Sequence, residues 1–175
     1  MQQELVQRII DTIQECLSDI HTAVPAEIVS IDRSTGLATV LPTMKKVMSD
    51  GSKIAYPEIS GVPIVFPQGA GQNVSITFPV NAGDKCLLII SEESLEYWLY
   101  GMETDTTLLF DITNAICIPG MFQSPPSTLY DSCDNNAIIM LAGGTKVTIK
   151  DDGVTVDGDV KINGKLTATG YVYLG

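Results

Sequence analysis

The chain has a single histidine, His21, and no HExxH or GxxxxGK[ST] run. No His-based zinc site and no Ser-His-Asp set can be assembled around one imidazole near the end of a predicted helix, where such a residue reads as a surface or C-cap group. The four cysteines, Cys16, Cys86, Cys117 and Cys133, form no CxxC pair and no zinc-like cluster. With no secretory leader evident, they read as reduced thiols of a chain made in the cytoplasm, Cys86 and Cys117 being packing residues inside apolar runs. Basic residues are also scarce. Ten Lys+Arg stand against 21 Asp+Glu, for a net charge of −11. A nucleic-acid partner is disfavoured, because binding a polyanion needs a basic patch. No apolar run approaches the roughly 18 residues of a membrane-spanning helix. Gly69-Ala-Gly71 is too short to cradle a phosphate, and Glu92-Glu93 and Asp151-Asp152 lie beside predicted turns, where solvated acids belong. The expectation is a protein with no catalytic residues, no metal, no cofactor and no small-molecule substrate.

What is present is a repeat. Val154-Thr-Val-Asp-Gly158-Asp, Val160-Lys-Ile-Asn-Gly164-Lys and Leu166-Thr-Ala-Thr-Gly170-Tyr each read apolar, polar, apolar, turn residue, glycine, spacer, and Val172-Tyr-Leu-Gly175 supplies most of a fourth block, apolar, polar, apolar and glycine. A fixed period of this kind marks a stacked or solenoid structure. Each apolar-x-apolar core is a minimal strand with both apolar side chains on one face. Gly158, Gly164 and Gly170 supply the bends, with Gly153 at the preceding turn. Strands this short bury almost nothing alone, so the tail needs copies of itself. A hexapeptide repeat also fits the left-handed β-helix of acyltransferases, but that fold calls for a longer array with one inward apolar residue per hexad and a catalytic histidine; this chain has two apolar residues per hexad and no such histidine.

Upstream, residues 3–22 have helical periodicity. Val6, Ile10, Ile13, Leu17 and Ile20, continuing to Val24, recur at spacings of four and three, an a/d seam, with Leu5, Ile9 and Cys16 widening the stripe. Pro25 is expected to end this helix. The seam fits either an amphipathic helix lying on its own domain or a self-associating helix. From Ala26 the period becomes two: strands at 27–32 and 37–41 flank the turn Arg33-Ser-Thr-Gly36, and residues 73–80, 85–91, 107–110 and 115–118 read as further strands. Ser49-Asp-Gly51-Ser-Lys and Gln68-Gly-Ala-Gly71 read as turns, 59–66 as an irregular edge strand because of its two prolines, and 94–100 as a short helical turn. Five or six short strands in such a span predict a mainly β fold built on a small OB-like barrel. The expected organisation is 1–24 helix, 25–120 barrel, 121–136 extended linker around Pro125-Pro126, and 137–175 a β tail whose lead-in is 137–141 and 146–149.

Several segments resemble the central spike proteins of contractile phage tails, the baseplate assembly protein V type, with relatives in phage-tail-like bacteriocins and type VI secretion. These are Pro63-Ile-Val-Phe-Pro67, Ile76-Thr-Phe-Pro79-Val-Asn-Ala-Gly83-Asp84-Lys-Cys-Leu-Leu-Ile-Ile-Ser followed by Leu95-Glu-Tyr-Trp98, and Asp111-Ile-Thr-Asn-Ala115-Ile-Cys-Ile-Pro119-Gly120. The resemblance implies a homotrimer: three barrels in a ring, and three tails intertwined into a triple-stranded β-helix. It would sit on the tail axis of a baseplate, touch hub or tube proteins, and enter the target envelope when the sheath contracts. The residues agree: three copies let Val154, Val156, Val160, Ile162, Leu166, Ala168, Val172 and Leu174 face a common axis while neighbouring chains pair the strand edges.

The sequence departs from that family at its end. Many such spikes hold iron with a His-x-His motif at the apex, and no histidine follows His21 here. Solenoids usually finish in polar capping repeats, whereas the last block runs Val172, Tyr173, Leu174, Gly175. The expectation is a docking end for a separate tip protein, the plain alternative being a frayed terminus. Two other functions compete: a hub or adaptor that never penetrates an envelope, and, more distantly, an OB-fold nucleic-acid binder, which lacks the needed aromatic and basic surface.

Overall fold

The computed structural model describes residues 2–48, 50–101 and 108–173. The chain divides into two compact units, Met1–Gln123 and Ser124–Gly175. The first opens with helix α1, Gln2–Ser18. Strand β1, Ala23–Asp32, is followed by β2, Leu37–Pro42, and a small hairpin of β3, Lys45–Val47, and β4, Lys53–Ala55. Next come β5, Ile59–Pro63, the two-residue pair β6, Gln68–Gly69, and β7, Val74–Ser75, then β8, Lys85–Ile90. Helix α2, Glu96–Tyr100, precedes β9, Ala115–Pro119. The second unit holds helix α3, Ser127–Asn135, and strands β10, Ile138–Ala142, β11, Thr145–Lys150, and β12, Gly153–Asp157.

The first unit is a curled five-stranded antiparallel sheet in the order β5-β2-β1-β8-β9. Period-two alternation puts every second residue inside, so Val24, Ala26, Ile28, Ala38, Val40, Cys86, Leu88, Ile90, Ala115 and Cys117 form one core with Ile59 and Val62. A bulge in the β1–β2 ladder between Ile28 and Ser30 bends the long strand. Curling brings the two edges together: Ile64 and Cys117 form a parallel bridge, and the Val65 N–H donates to the Cys117 carbonyl at 2.9 Å. Meeting edges leave fewer unpaired backbone groups at the rim.

Five expectations need correction. Helix α1 stops at Ser18, so Ile20 lies beyond it, and Val24 is a core residue of β1 rather than part of a helical seam. Pro25 sits inside β1, at a position paired with β8 alone because the β2 ladder ends at Ala26–Pro42. The strand expected over 73–80 shrinks to Val74–Ser75. Ala70, Gly71 and Gln72 all adopt positive φ in the preceding turn, and Pro79 cannot donate to a ladder. At 107–110, Thr107 lies outside the described residues, and Leu108–Phe110 is a loop closed by turns rather than a strand. The expected extended linker contains α3: Pro126 precedes its first turn with extended geometry (φ −74°, ψ 157°), and Asn136 ends it in the left-handed conformation.

The second unit is a three-stranded antiparallel meander, β10-β11-β12. Its turns are Gly143-Gly144 and Asp151-Asp152. Beyond Asp157 the described residues of the single chain hold no further strand: bends occur at Gly158, at Asn163-Gly164 and at Thr169-Gly170, one per six residues. Gly158 has a φ of +145°, and a Cβ there would meet the Thr145 side chain at 3.0 Å, so a glycine is needed. Gly164 and Gly170 are not among the positive-φ glycines, so their bends do not depend on left-handed backbone as expected.

Candidate interaction surfaces

The second unit has two unlike faces. Cross-strand pairs share a face, and the register sets Ile138 opposite Ile149 and Ile149 opposite Val154, then Met140 opposite Val147 and Val147 opposite Val156. All six side chains on this face are therefore aliphatic or Met. None is buried, and Ile138 and Val154 are 64% and 63% exposed. The other face carries Thr148, Thr155, Lys146 and Asp157 together with Ile139 and Leu141 of β10, and α3 lies on that side. Lys146 Nζ lies 4.0 Å from an Asp131 carboxylate oxygen, and Lys150 Nζ donates to Asn135 Oδ1 at 3.2 Å. Of the six apolar residues, Val154 and Val156 belong to the first hexad. Ile138, Met140, Val147 and Ile149 escaped the hexad reading, although their alternation and the Gly-Gly and Asp-Gly turns that set the register were visible.

Downstream, Val160, Ile162, Leu166, Ala168 and Val172 are exposed, as is Tyr173, whose ring lies 6.4 Å from that of Tyr171. Leu174 and Gly175, named as core and docking positions, lie outside the described residues.

In the first unit, every residue of α1 from Gln3 to Ser18 is exposed, including Val6, Ile10, Ile13 and Leu17 of the seam and the flanking Leu5 and Ile9. The segment after the helix is anchored instead: the His21 N–H donates to the Phe110 carbonyl at 3.0 Å, the His21 ring sits edge-on to Tyr56 at 5.6 Å, and Lys46 Nζ pairs with Asp19 at 2.7 Å. That pair lowers the Asp19 pKa and raises that of Lys46, through the hydrogen bond first and the charges second.

A buried polar residue that sequence reasoning missed organises the stretch between β8 and β9. Asn114 is 4% exposed. Its Oδ1 accepts from the Leu95 N–H at 2.9 Å, and its Nδ2 donates to the carbonyls of Glu93 and Leu108. The same loop presents Tyr97 and Trp98 to solvent on α2.

The acidic residues with perturbed titration are turn caps. Asp32 Oδ1 accepts from the Ser34 hydroxyl and N–H at 2.6 and 2.9 Å, and Asp111 Oδ1 does the same for Thr113 at 2.5 and 2.8 Å. These bonds favour the carboxylate and hold both pKa values below the ordinary range. Asp50 is lowered in the same way by Ser52. Glu27 pairs with Lys85 across β1 and β8. Cys86 and Cys117 are both fully buried, and the Cys117 thiol is pushed up by its hydrogen bond to Cys86 and by burial. Among the described residues, no three His, Cys, Asp or Glu side chains are grouped to hold a metal ion, and no helix is long and apolar enough to cross a membrane.

No curated protein matches the chain. A family model described as the phage protein Gp138 N-terminal domain matches residues 24–120, the span that holds the curled sheet apart from Ala23, and the Asn114 loop. Covering more than half of the 175 residues, that match identifies the chain as a phage protein belonging to the Gp138 N-terminal domain family.

Proposed function

We propose that this protein is the trimeric central spike of a contractile injection baseplate. Three copies of the second unit would turn their apolar sheet faces to a common axis, and the hexads would continue that prism as an intertwined β-helix. The observation that carries this reading is the uncovered face of Ile138, Met140, Val147, Ile149, Val154 and Val156 leading into a tail that bends every six residues. A lone chain leaves these side chains about half in water; covering them gains, as a gross figure, about 5–9 kcal/mol per chain. Stacking three tails also supplies backbone partners that 158–173 lacks within its own chain.

The first unit supports the same assignment. Its strand order, with a parallel bridge from Ile64 just past β5 to Cys117 in β9, is the one expected of an OB-type Greek-key barrel, and its family is a phage one. In this reading the barrels form the collar that meets hub or tube proteins, the chain is a virion component, and the β-helix is a mechanical element with no chemistry of its own.

The second reading is a hub or adaptor that stays in the baseplate. Particles carrying the chain truncated after Asp159 separate the two. The spike reading predicts particles that assemble, adsorb and contract but fail to permeabilise target cells; normal permeabilisation would leave only the adaptor.

A further inference from the structure

We infer that α1 is a second self-association element, a short parallel three-stranded coiled coil formed by the α1 helices of three copies; this rests on the trimeric reading above. The helix cannot be explained by the chain alone. Its 17 residues are near the length at which isolated helices are marginal in water. No residue from Gln3 to Ser18 is buried, and no basic residue in the last turn offsets the helix dipole. Six exposed aliphatic side chains on one amphipathic helix call for a cover.

The sequence and geometry select the cover. A membrane surface fits poorly: interfacial helices carry basic polar faces, whereas this one carries Glu4, Asp11 and Glu15 against a single Arg8. The spacings from Val6 to Ile10, Ile13 and Leu17 are four, three and four, the 3.5-residue seam that faces another helix. With Ile10 and Leu17 at a, the d positions are Val6 and Ile13. Two-stranded coils prefer β-branched a residues with Leu at d; Ile at both, or Leu at a with Ile at d, favours more strands. Ile9 and Cys16 fall at g, beside the seam, and Gln7 and Gln14 at e, so the flanks carry no charge pairs and widen the apolar stripe. A wide stripe suits a helix with two neighbours rather than one. Closed rotation about one axis makes the helices parallel.

About two heptads are too few to hold three free chains, but tethering to an existing trimer raises the local helix concentration to the millimolar range. The coil therefore forms as a consequence of the trimer and fixes the ends of the barrels furthest along the chain from the hexads.

The test uses the full chain with Cys16→Ser and Cys133→Ser, leaving only the buried Cys86 and Cys117, and adds one cysteine at a time. A short bis-maleimide is the probe, with native mass measured on the same samples. Ile13→Cys, on the seam, should give covalent chain pairs at least tenfold faster than Arg8→Cys, which lies off it. Equal or absent cross-linking of Ile13→Cys in a preparation of trimeric mass overturns the coil and leaves the spike reading standing. A monomeric or dimeric mass overturns both.

Discussion

Ile149 stands directly opposite Val154 across β11 and β12, joining the lead-in of the C-terminal sheet to the first hexad on one apolar face. That pairing makes the face an extension of the repeat rather than a separate domain surface. A charge placed on it is harmless in a lone chain and costly once three faces pack, since an unpaired buried charge costs several kcal/mol. Val147→Asp should reduce the native mass to that of one chain. Thr155→Asp, on the opposite face, should leave the mass unchanged. Light scattering coupled to size exclusion reads both.

Asn114 holds the loop between β8 and β9 through one accepted and at least two donated hydrogen bonds. Asn114→Ala leaves the Leu95 N–H and the Glu93 carbonyl without their partner, and should cost about 1–3 kcal/mol. Urea unfolding measures the loss. An unchanged midpoint would show that the loop satisfies these groups by itself.

The thiols divide by position. Cys16 and Cys133 are exposed, while Cys86 and Cys117 are buried among the core residues of β8 and β9. Native protein should react quickly with a chromogenic disulfide at Cys133, and at Cys16 to the extent that α1 leaves it open, whereas Cys86 and Cys117 should react only on unfolding. Fast labelling of Cys117 in the native state would contradict the packing described for the sheet.

Acid should destabilise the first unit through its turn caps. Asp32 and Asp111 have carboxyl pKa values lowered in the fold by Ser34 and Thr113. Their contribution is present above the ordinary carboxylate pKa of about 4 and fades as pH falls through the lower folded values. The unfolding midpoint should therefore drop on acidification. In Asp32→Asn/Asp111→Asn the stability deficit relative to the parent should be largest near neutrality and shrink toward strong acid. A deficit independent of pH would assign the effect to geometry rather than charge.

The parts of the fold legible in the sequence are those where local pattern and tertiary demand coincide. The alternation of β1 and β2 around Arg33-Ser-Thr-Gly36 and the apolar run Cys86–Ile90 reflect burial in one core, so period alone locates them. Lys45–Val47 and Lys53–Ala55 hold no buried residue and are three residues each, too short to show a period. Helix α3 hides behind a Ser, Asp and Asn composition that reads as linker. The C-terminal apolar face was written in Ile138, Met140, Val147 and Ile149, but only the register unites them with Val154 and Val156. Asn114 could not be found from sequence, because its burial is set by Glu93, Leu95 and Leu108 arriving around it. Among the described residues, the strands expected at 160–162 and 166–168 and at the start of the last block are absent from the single chain, where nothing pairs with them.

The most direct test of the central claim is the native mass of the purified full chain, by sedimentation equilibrium over a range of concentrations. The account predicts a species of three times the 18.8 kDa chain mass that persists on dilution and resists heating. A monomer or dimer at every concentration would contradict it.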